Sequence, residues 1–253
     1  MWVCPAGHTF DTARAGYVNL LQPQDRKSAD AGDSRESVEA RAALLARGIG
    51  RGAVDTVASA VAALTTPGAS VVVELGSGAG ETLGALMSAS AVCAVGIDLS
   101  TAAATLAARR FPAATWLVAN ADRRLPLLDQ SVHVVLSVHA RRNPEECRRV
   151  LVPGGHLVVA IPAPDDLIEL REAVQGTAVE RDRVEALRLE HAGPFDEVSR
   201  TSVSQAFDLQ RDDLLLALRG TYRGGRQSAS SRIDALTSLR VTFASDVVVF
   251  RRK

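Results

Sequence analysis

Glu74, Asp98 and Asp122 stand at or near the ends of three successive apolar runs, and the first run passes directly into Gly76-Ser77-Gly78-Ala79-Gly80. Glycines between a strand and a helix let the backbone close on a ligand held at the strand's carboxyl end. The spacing here is G-x-G-x-G, whereas a dinucleotide loop favours G-x-G-x-x-G with helix amides aimed at a pyrophosphate. A carboxylate at Glu74, two residues before the first glycine, would repel a pyrophosphate but suits an ammonium group. Asp98 can take both hydroxyls of a ribose, and Asp122 can accept from an adenine amino group. Ammonium, ribose and adenine in that order describe S-adenosylmethionine better than a nicotinamide cofactor.

These residues need a frame to hold them. Ser70-Val71-Val72-Val73-Glu74-Leu75 is continuously apolar apart from its acidic end, and residues 91–97, 115–119, 131–138 and 156–161 repeat that texture. Helical stretches separate them, from Glu81 and over Thr101–Arg110, and Cys147 to Leu151 leads through Pro153-Gly154-Gly155 into the fifth run. Apolar runs of strand length separated by helices predict a parallel sheet covered on both faces. Upstream, helices are expected from Ser34 (cap) or Ser37 to Gly48, and over residues 53–64. Downstream the pattern predicts a polar helix over 164–189, a strand over 197–209, a helix over 211–218 and a last strand over 239–251, the two late strands pairing antiparallel at one sheet edge. Residues 1–36 lack long periodicity and read as an irregular small module around the short run Tyr17-Val18-Asn19-Leu20-Leu21.

The chain has 253 residues, of which 47% are hydrophobic and 23% charged, an ordinary globular balance that excludes a disordered or coiled-coil protein. No window approaches a membrane span, and Met1-Trp2-Val3-Cys4 lacks a basic then apolar leader, so a cytoplasmic protein is expected. Cys4, Cys93 and Cys147 are too few and too scattered for a disulfide framework. Lys+Arg 29 against Asp+Glu 29 leaves net charge +0, so a nucleic-acid partner would have to be held by local patches. All but Lys27 and Lys253 of the basic residues are arginine, which reads first as coding bias and second as preference for phosphate and base edges.

The motifs together resemble the class I methyltransferases: residues 72–80 are similar to the family's first motif, Gly96-Ile97-Asp98-Leu99-Ser100 to its second, Ala119-Asn120-Ala121-Asp122 with Leu125-Pro126 to its third, and Leu151-Val152-Pro153-Gly154-Gly155 to the turn before the fifth strand. The resemblance implies an α/β, Rossmann-like fold with a mainly parallel seven-stranded sheet, one strand antiparallel, plus the small amino-terminal module. It assigns the donor S-adenosylmethionine to Glu74, Gly76, Ser77, Gly78, Gly80, Asp98, Leu99, Asn120, Ala121, Asp122 and His139.

The amino-terminal stretch narrows the family. Cys4-Pro5-Ala6-Gly7-His8, Phe10-Asp11, Gly16-Tyr17-Val18-Asn19-Leu20-Leu21, Gly32-Asp33-Ser34 and Ala40-Arg41 look like the bacterial 23S rRNA guanine-N1 methyltransferases, and Arg110-Phe111-Pro112 and Ala160-Ile161-Pro162 extend the likeness along nearly the whole chain. The implied organisation is a substrate-recognition module over 1–50 and a methyltransferase domain over 51–253. The implied partner is a 23S rRNA hairpin, with macrolide resistance a role found in the family, and homodimers occur there. A small-molecule methyltransferase on the same scaffold is the alternative, and a binding protein without turnover a third reading.

Three departures bear on this. The family's zinc ribbon opens with a C-x-x-C pair that is absent here, so Cys4 and His8 supply half of the four ligands a structural zinc needs, and no metal is expected in this sequence. Val138-His139-Ala140-Arg141-Arg142 replaces an aromatic-Ala-Pro after the fourth strand, and Arg219-Gly220-Thr221-Tyr222-Arg223-Gly224-Gly225-Arg226 replaces a Met-Thr-Pro element. Both fall near the expected acceptor pocket. A guanine N1 carries a proton at neutral pH, and His139, beside the expected methyl position with an ordinary pKa near ~6.5, is the candidate general base. A merely structural histidine is the other reading. His133 and His156 fall within strands and His191 in a loop. Tyr17 and Asn19 are assigned to substrate with Tyr222 and Arg223, whereas Arg141, Arg142, Arg148 and Arg149, diluted by Glu145 and Glu146, read as a solvated helix face.

Overall fold

The computed structural model describes residues 2–4, 7–21, 32–176, 182–221 and 236–253. In chain order the elements are β1 (Trp2–Val3), β2 (Thr9–Phe10), β3 (Tyr17–Asn19), α1 (Arg35–Ala46), α2 (Gly52–Leu64), β4 (Val71–Leu75), α3 (Glu81–Ala89), β5 (Cys93–Asp98), α4 (Thr101–Arg110), β6 (Thr115–Val118), β7 (Val132–Val138), α5 (Pro144–Val150), β8 (Leu151–Pro162), α6 (Ile168–Gln175), α7 (Val184–His191), β9 (Phe195–Gln210), α8 (Arg211–Thr221) and β10 (Ser238–Arg252). Local chemistry sets several boundaries. Ser34 takes the cap of α1, its hydroxyl accepting from the Ser37 amide at 3.1 Å, and Ser100 caps α4 in the same way.

The main sheet has eight strands in the order β3-β6-β5-β4-β7-β8-β10-β9. Every neighbouring pair from β3 to β8 is parallel, and β10 runs against both β8 and β9. One antiparallel strand in a mainly parallel sheet is as expected, and so is the antiparallel pairing of the two late strands. The eighth strand was not. Tyr17–Asn19 leaves the amino-terminal stretch and pairs with Trp116–Val118, because Val18 is an apolar residue with a place in the core and the β6 edge offers unpaired backbone groups. The helix expected over 164–189 is two helices: Gly176, left-handed at φ 77, caps α6, and α7 starts afresh at Val184.

Alternation along each strand feeds two cores. Val73, Leu75, Val135, Leu157, Val159 and Val248 face one side, with Cys147, Val150, Leu187 and Phe195. Val72, Val134, Leu136, Val158, Val247 and Val249 face the other, against residues of α2, α3 and α4. A third cluster joins Leu44, Leu170, Leu209, Leu214, Ala217 and Val241, so α1, α6 and α8 gather with the long β9–β10 pair. Strand order reverses between β4 and β7. In an open α/β sheet that is where a crevice opens beyond the carboxyl ends of the strands.

Candidate functional site

The loop after β4 and the loop after β7 meet at this reversal. Gly76 has φ +67, and a Cβ built on it would lie 2.3 Å from the Cβ of Ala140, so only glycine lets the two loops close together. Gly78 and Gly80 also have positive φ, and Gly80 opens α3. Trp116 fills the space beneath: a Cβ on Gly96 would come within 2.2 Å of its ring.

Glu74 lies at the floor of this cradle, 2% exposed, and its Oε2 has no hydrogen-bond partner. Burial pushes its pKa up to about 8, with help from Glu81 and Asp98 and partial relief from Thr82 and the Leu83 amide. A buried carboxyl group with an unused oxygen is costly unless a ligand completes it. Asp98 ends β5 and holds the loop: its Oδ2 accepts from the Gly78 amide and its Oδ1 from the Ser100 amide, both at 2.8 Å. Burial nevertheless raises its pKa. Asn120 Oδ1 accepts from the Asp122 amide at 2.9 Å, and the half-open Asp122 carboxylate meets Arg141 at 3.3 Å. Leu99 and Ala121 flank these acids on the same carboxyl-end loops. The donor set fits an ammonium at Glu74, hydroxyls at Asp98 and an adenine edge near Asp122.

His139 takes a left-handed conformation, φ 51, its amide donating to Ala160 O at 2.9 Å and its Nε2 lying 2.9 Å from Ser245 Oγ. Its side chain is exposed, and the neighbouring protein, then Arg41 and Arg183, pushes its pKa down to about 4. It is therefore a weak base. Tyr17 and Asn19 sit on the outer strand β3, separated from β4 by β6 and β5, and Asn19 Oδ1 is used by the Leu21 amide at 3.0 Å. Tyr222 and Arg223, with Arg226, lie outside the described residues.

Two site residues were not singled out in the sequence. Asp33 O accepts from Ser100 Oγ at 2.7 Å, laying this segment over the end of β5, and Arg41 binds Asp33 at 2.8 Å while donating to Gly220 O through Nε and Nη2. Arg41 thus joins α1 to α8 at the rim, close enough to act on both Asp98 and His139. Their only signal was membership of the Gly32-Asp33-Ser34 and Ala40-Arg41 matches.

Other expectations change. Arg142 and Arg149 are not on a solvated face: Arg142 binds Glu190 and His191, and Arg149, only 17% exposed, holds Glu146, Asp129 and the carbonyls of Leu125 and Leu127. His191 is the last residue of α7 rather than a loop residue, fully buried and stacked on Phe250. His133 Nδ1 accepts from the Val71 amide at 3.0 Å. Cys4 Sγ and His8 Nδ1 are 3.3 Å apart beside the two-stranded β1–β2 ribbon, and among the described residues no group of three or more potential ligands could hold a metal. Two donors do not close a tetrahedral zinc site.

A model for the methyltransferase domain matches residues 72–155, and a zinc-ribbon model described as RlmA, N-terminal matches residues 1–29. The chain is 37% identical over 214 residues to the 23S rRNA (guanine(748)-N(1))-methyltransferase of Streptomyces fradiae, covering 83% of this chain and 75% of that one. It is 40% identical over 182 residues to a protein of Micromonospora griseorubida named for the same guanine-N1 activity, covering 66% of this chain and 60% of the relative. Among solved structures, the YcgJ protein from Bacillus subtilis superposes with TM-score 0.54 at 14% identity, covering 78% and 98% of the two chains. The [4+2]-cyclase SpnF gives 0.54 at 16%, covering 79% and 80%. These distant likenesses concern fold alone. The sequence relatives, the methyltransferase motif and the cradle around Glu74 and Asp98 agree: the chain belongs to the bacterial 23S rRNA guanine-N1 methyltransferase family, S-adenosylmethionine-dependent enzymes of the class I fold.

Proposed function

We propose that this protein transfers the methyl group of S-adenosylmethionine to N1 of a guanine in 23S rRNA, with macrolide-type resistance as its cellular consequence. The observation that carries the acceptor is the run of similarity to the Streptomyces fradiae enzyme over 83% of the chain. When bound, the donor supplies an electrophilic sulfonium methyl. The protein's own residues position it: Glu74 takes the ammonium, Asp98 the ribose hydroxyls, and Gly76, Ser77, Gly78 and Gly80 the close approach of the backbone. Leu99, Asn120, Ala121 and Asp122 frame the adenine, and His139 flanks the methyl. In this reading residues 1–50 recognise RNA and 51–253 carry the chemistry, although β3 of the first part is a strand of the second part's sheet. Tyr17, Asn19, Tyr222 and Arg223 are the proposed substrate contacts, a homodimer is compatible with the family, and the place of work is the cytoplasm, where ribosomes are. No helix among the described residues is long and apolar enough to cross a membrane.

The test is transfer of labelled methyl to unmethylated 23S rRNA, with primer extension to find the modified base. A stop at one guanine of a large-subunit hairpin is expected. The net charge of +0 favours one other acceptor, a small molecule, since it supplies no overall positive field to draw RNA from a distance. Label confined to a small-molecule fraction of cell extract would replace the rRNA reading with that one.

A further inference from the structure

A cavity of about 190 Å³ lies at the carboxyl end of β8, walled by Pro162, Pro164, Leu170 and Leu218 and lined by the charged side chains of Asp166, Arg171 and Arg183. Sites for whole small molecules run to roughly 300–1,000 Å³, so this one suits a single ring system. Two consecutive residues of β10 tie it to the cofactor cradle. The Ala244 amide donates to Asp166 Oδ1 at 2.9 Å, and the Ser245 hydroxyl meets His139 Nε2 at 2.9 Å. Ser245 is also the register partner of Pro162, so the cavity wall and His139 meet β10 at the same strand position. Arg183 acts electrostatically on Asp166 and on His139 alike. Leu218 and Gly220 belong to α8, so the helix that closes the cavity also carries the carbonyl bound by Arg41.

We infer that this cavity receives the acceptor guanine, extruded from its stack, and that Asp166 is the group that accepts its N1 proton. The inference rests on the guanine-N1 reading above. Enzymes that modify a base hold it between apolar side chains and read its Watson–Crick edge. Guanine offers two donors there, N1–H and the N2 amino group, beside the O6 acceptor. A carboxylate matches the donors and a guanidinium matches O6. Adenine offers a bare N1 lone pair, which a carboxylate repels. Among the described residues Asp166 Oδ2 has no hydrogen-bond partner, while Oδ1 is held by Ala244. In the step, Oδ2 takes the N1 proton, the nitrogen electron pair forms the bond to the methyl carbon, and the carbon–sulfur bond breaks with its pair left on sulfur as a neutral thioether. Asp166 then returns the proton to solvent.

The cavity's charges agree with this role. Burial pushes the Asp166 pKa up to about 6, countered by the Ala244 amide, Arg171 and Arg183 and supported by Asp165. Glu169, on the next turn, is committed to Thr242 on β10. Asp166 is thus ionised at neutral pH and a stronger base than His139, whose Nε2 is already engaged by Ser245.

The test uses the full chain, a 23S hairpin and the variants Asp166→Asn and Asp166→Glu. At saturating donor, wild-type kcat should rise tenfold per pH unit up to about 6 and then level, because the base must be ionised. Asp166→Asn should lower kcat by roughly 10²–10⁴-fold and lose that limb, and Asp166→Glu should recover part of both. Without donor, fluorescence anisotropy should give the wild type about a tenfold preference for the guanine hairpin over one with adenine at the target, lost in Asp166→Asn. Donor binding and melting of the variants check that they fold. The wild-type pH limb and base preference need no variant, and the lack of either overturns the assignment, as does full activity in Asp166→Asn. No transfer to any guanine overturns the function proposed above and this inference with it. Transfer that ignores Asp166 overturns this inference alone.

Discussion

Replacing Glu74 with glutamine should make the empty protein more stable and the donor-binding site worse. In the folded, unliganded chain this carboxyl has its pKa pushed from 4.5 to about 8 by burial. The folded state therefore keeps a proton that the unfolded chain releases, so stability is fully present below pH 4.5 and is lost as pH rises towards 8. At pH 7 the interval from 4.5 is worth about 3 kcal/mol at ~1.4 kcal/mol per pH unit. Glu74→Gln removes that cost, and for a chain of this size the melting temperature should rise by roughly 6–12 °C at pH 7 with a flatter dependence on pH. Donor binding should go the other way. An ammonium at Oε2 needs the ionised carboxylate, so at pH 7, about one unit below its pKa, binding should release about 0.9 proton. Affinity should climb about tenfold from pH 6 to 7 and level near 8, where the donor's own amino group, at ~7.7–8.0, also titrates. Glutamine should bind with no proton release and, near pH 8, about 10–100-fold more weakly, the worth of a charge-assisted hydrogen bond. Titration calorimetry in two buffers of different ionisation enthalpy, with melting curves from pH 5 to 8, measures both effects. Wild-type affinity that is flat with pH, or glutamine binding equal to wild type at pH 8, would refute the reasoning.

Three further substitutions probe the scaffold around the site. Gly96→Ala drives a methyl to within 2.2 Å of the buried Trp116 ring and 2.9 Å of Ser77 Oγ. It should cost about 1–3 kcal/mol or more and loosen the donor loop, seen as a lower melting temperature together with weaker donor binding. Arg149→Ala strips partners from Glu146, Asp129 and the carbonyls of Leu125 and Leu127. It should cost about 2–4 kcal/mol in denaturant melts yet leave the salt dependence of hairpin binding unchanged, and a shallower salt slope would return Arg149 to the RNA interface. Arg41→Ala removes its bonds to Gly220 O and Asp33 and should raise the donor Kd several-fold through the rim, with only a small loss of stability because the side chain is 40% exposed. An unchanged donor Kd would confine Arg41 to the α1–α8 contact.

The cradle proposed for the cofactor was legible because its residues follow strands directly. Glu74, Asp98 and the glycines are fixed by strand-end position, and a strand of this sheet can carry its last residues to only one edge. The acceptor side was not. Asp166 follows a strand end by several residues, in a turn whose direction depends on the Ala244 amide, a contact across 78 positions of chain. His139 was found at the end of β7, but its basicity was not readable, since the depressed pKa arises from the protein packed around it and from Arg41 and Arg183, both remote in sequence. The basic run at 141–149 misled for the same reason: the carbonyls and acids that consume Arg149 come from residues 125–129 and from its own helix, and exposure cannot be read from composition.

By itself, then, the sequence determined the alternation of buried strands and helices, the antiparallel return at the sheet edge and the places of the candidate donor acids Glu74 and Asp98, because periodicity puts them at the ends of β4 and β5. It was the tertiary structure that decided the eighth strand, since Tyr17–Asn19 is too short to declare itself without the β6 edge to pair with. Only the tertiary structure, too, brought Asp33 and Arg41 from the amino-terminal part over the cradle and set Asp166 in a cavity against the Ala244 amide of β10. Those placements depend on contacts between segments far apart in the chain, and the surroundings that shift Glu74, His139 and Asp166 exist only once those contacts form.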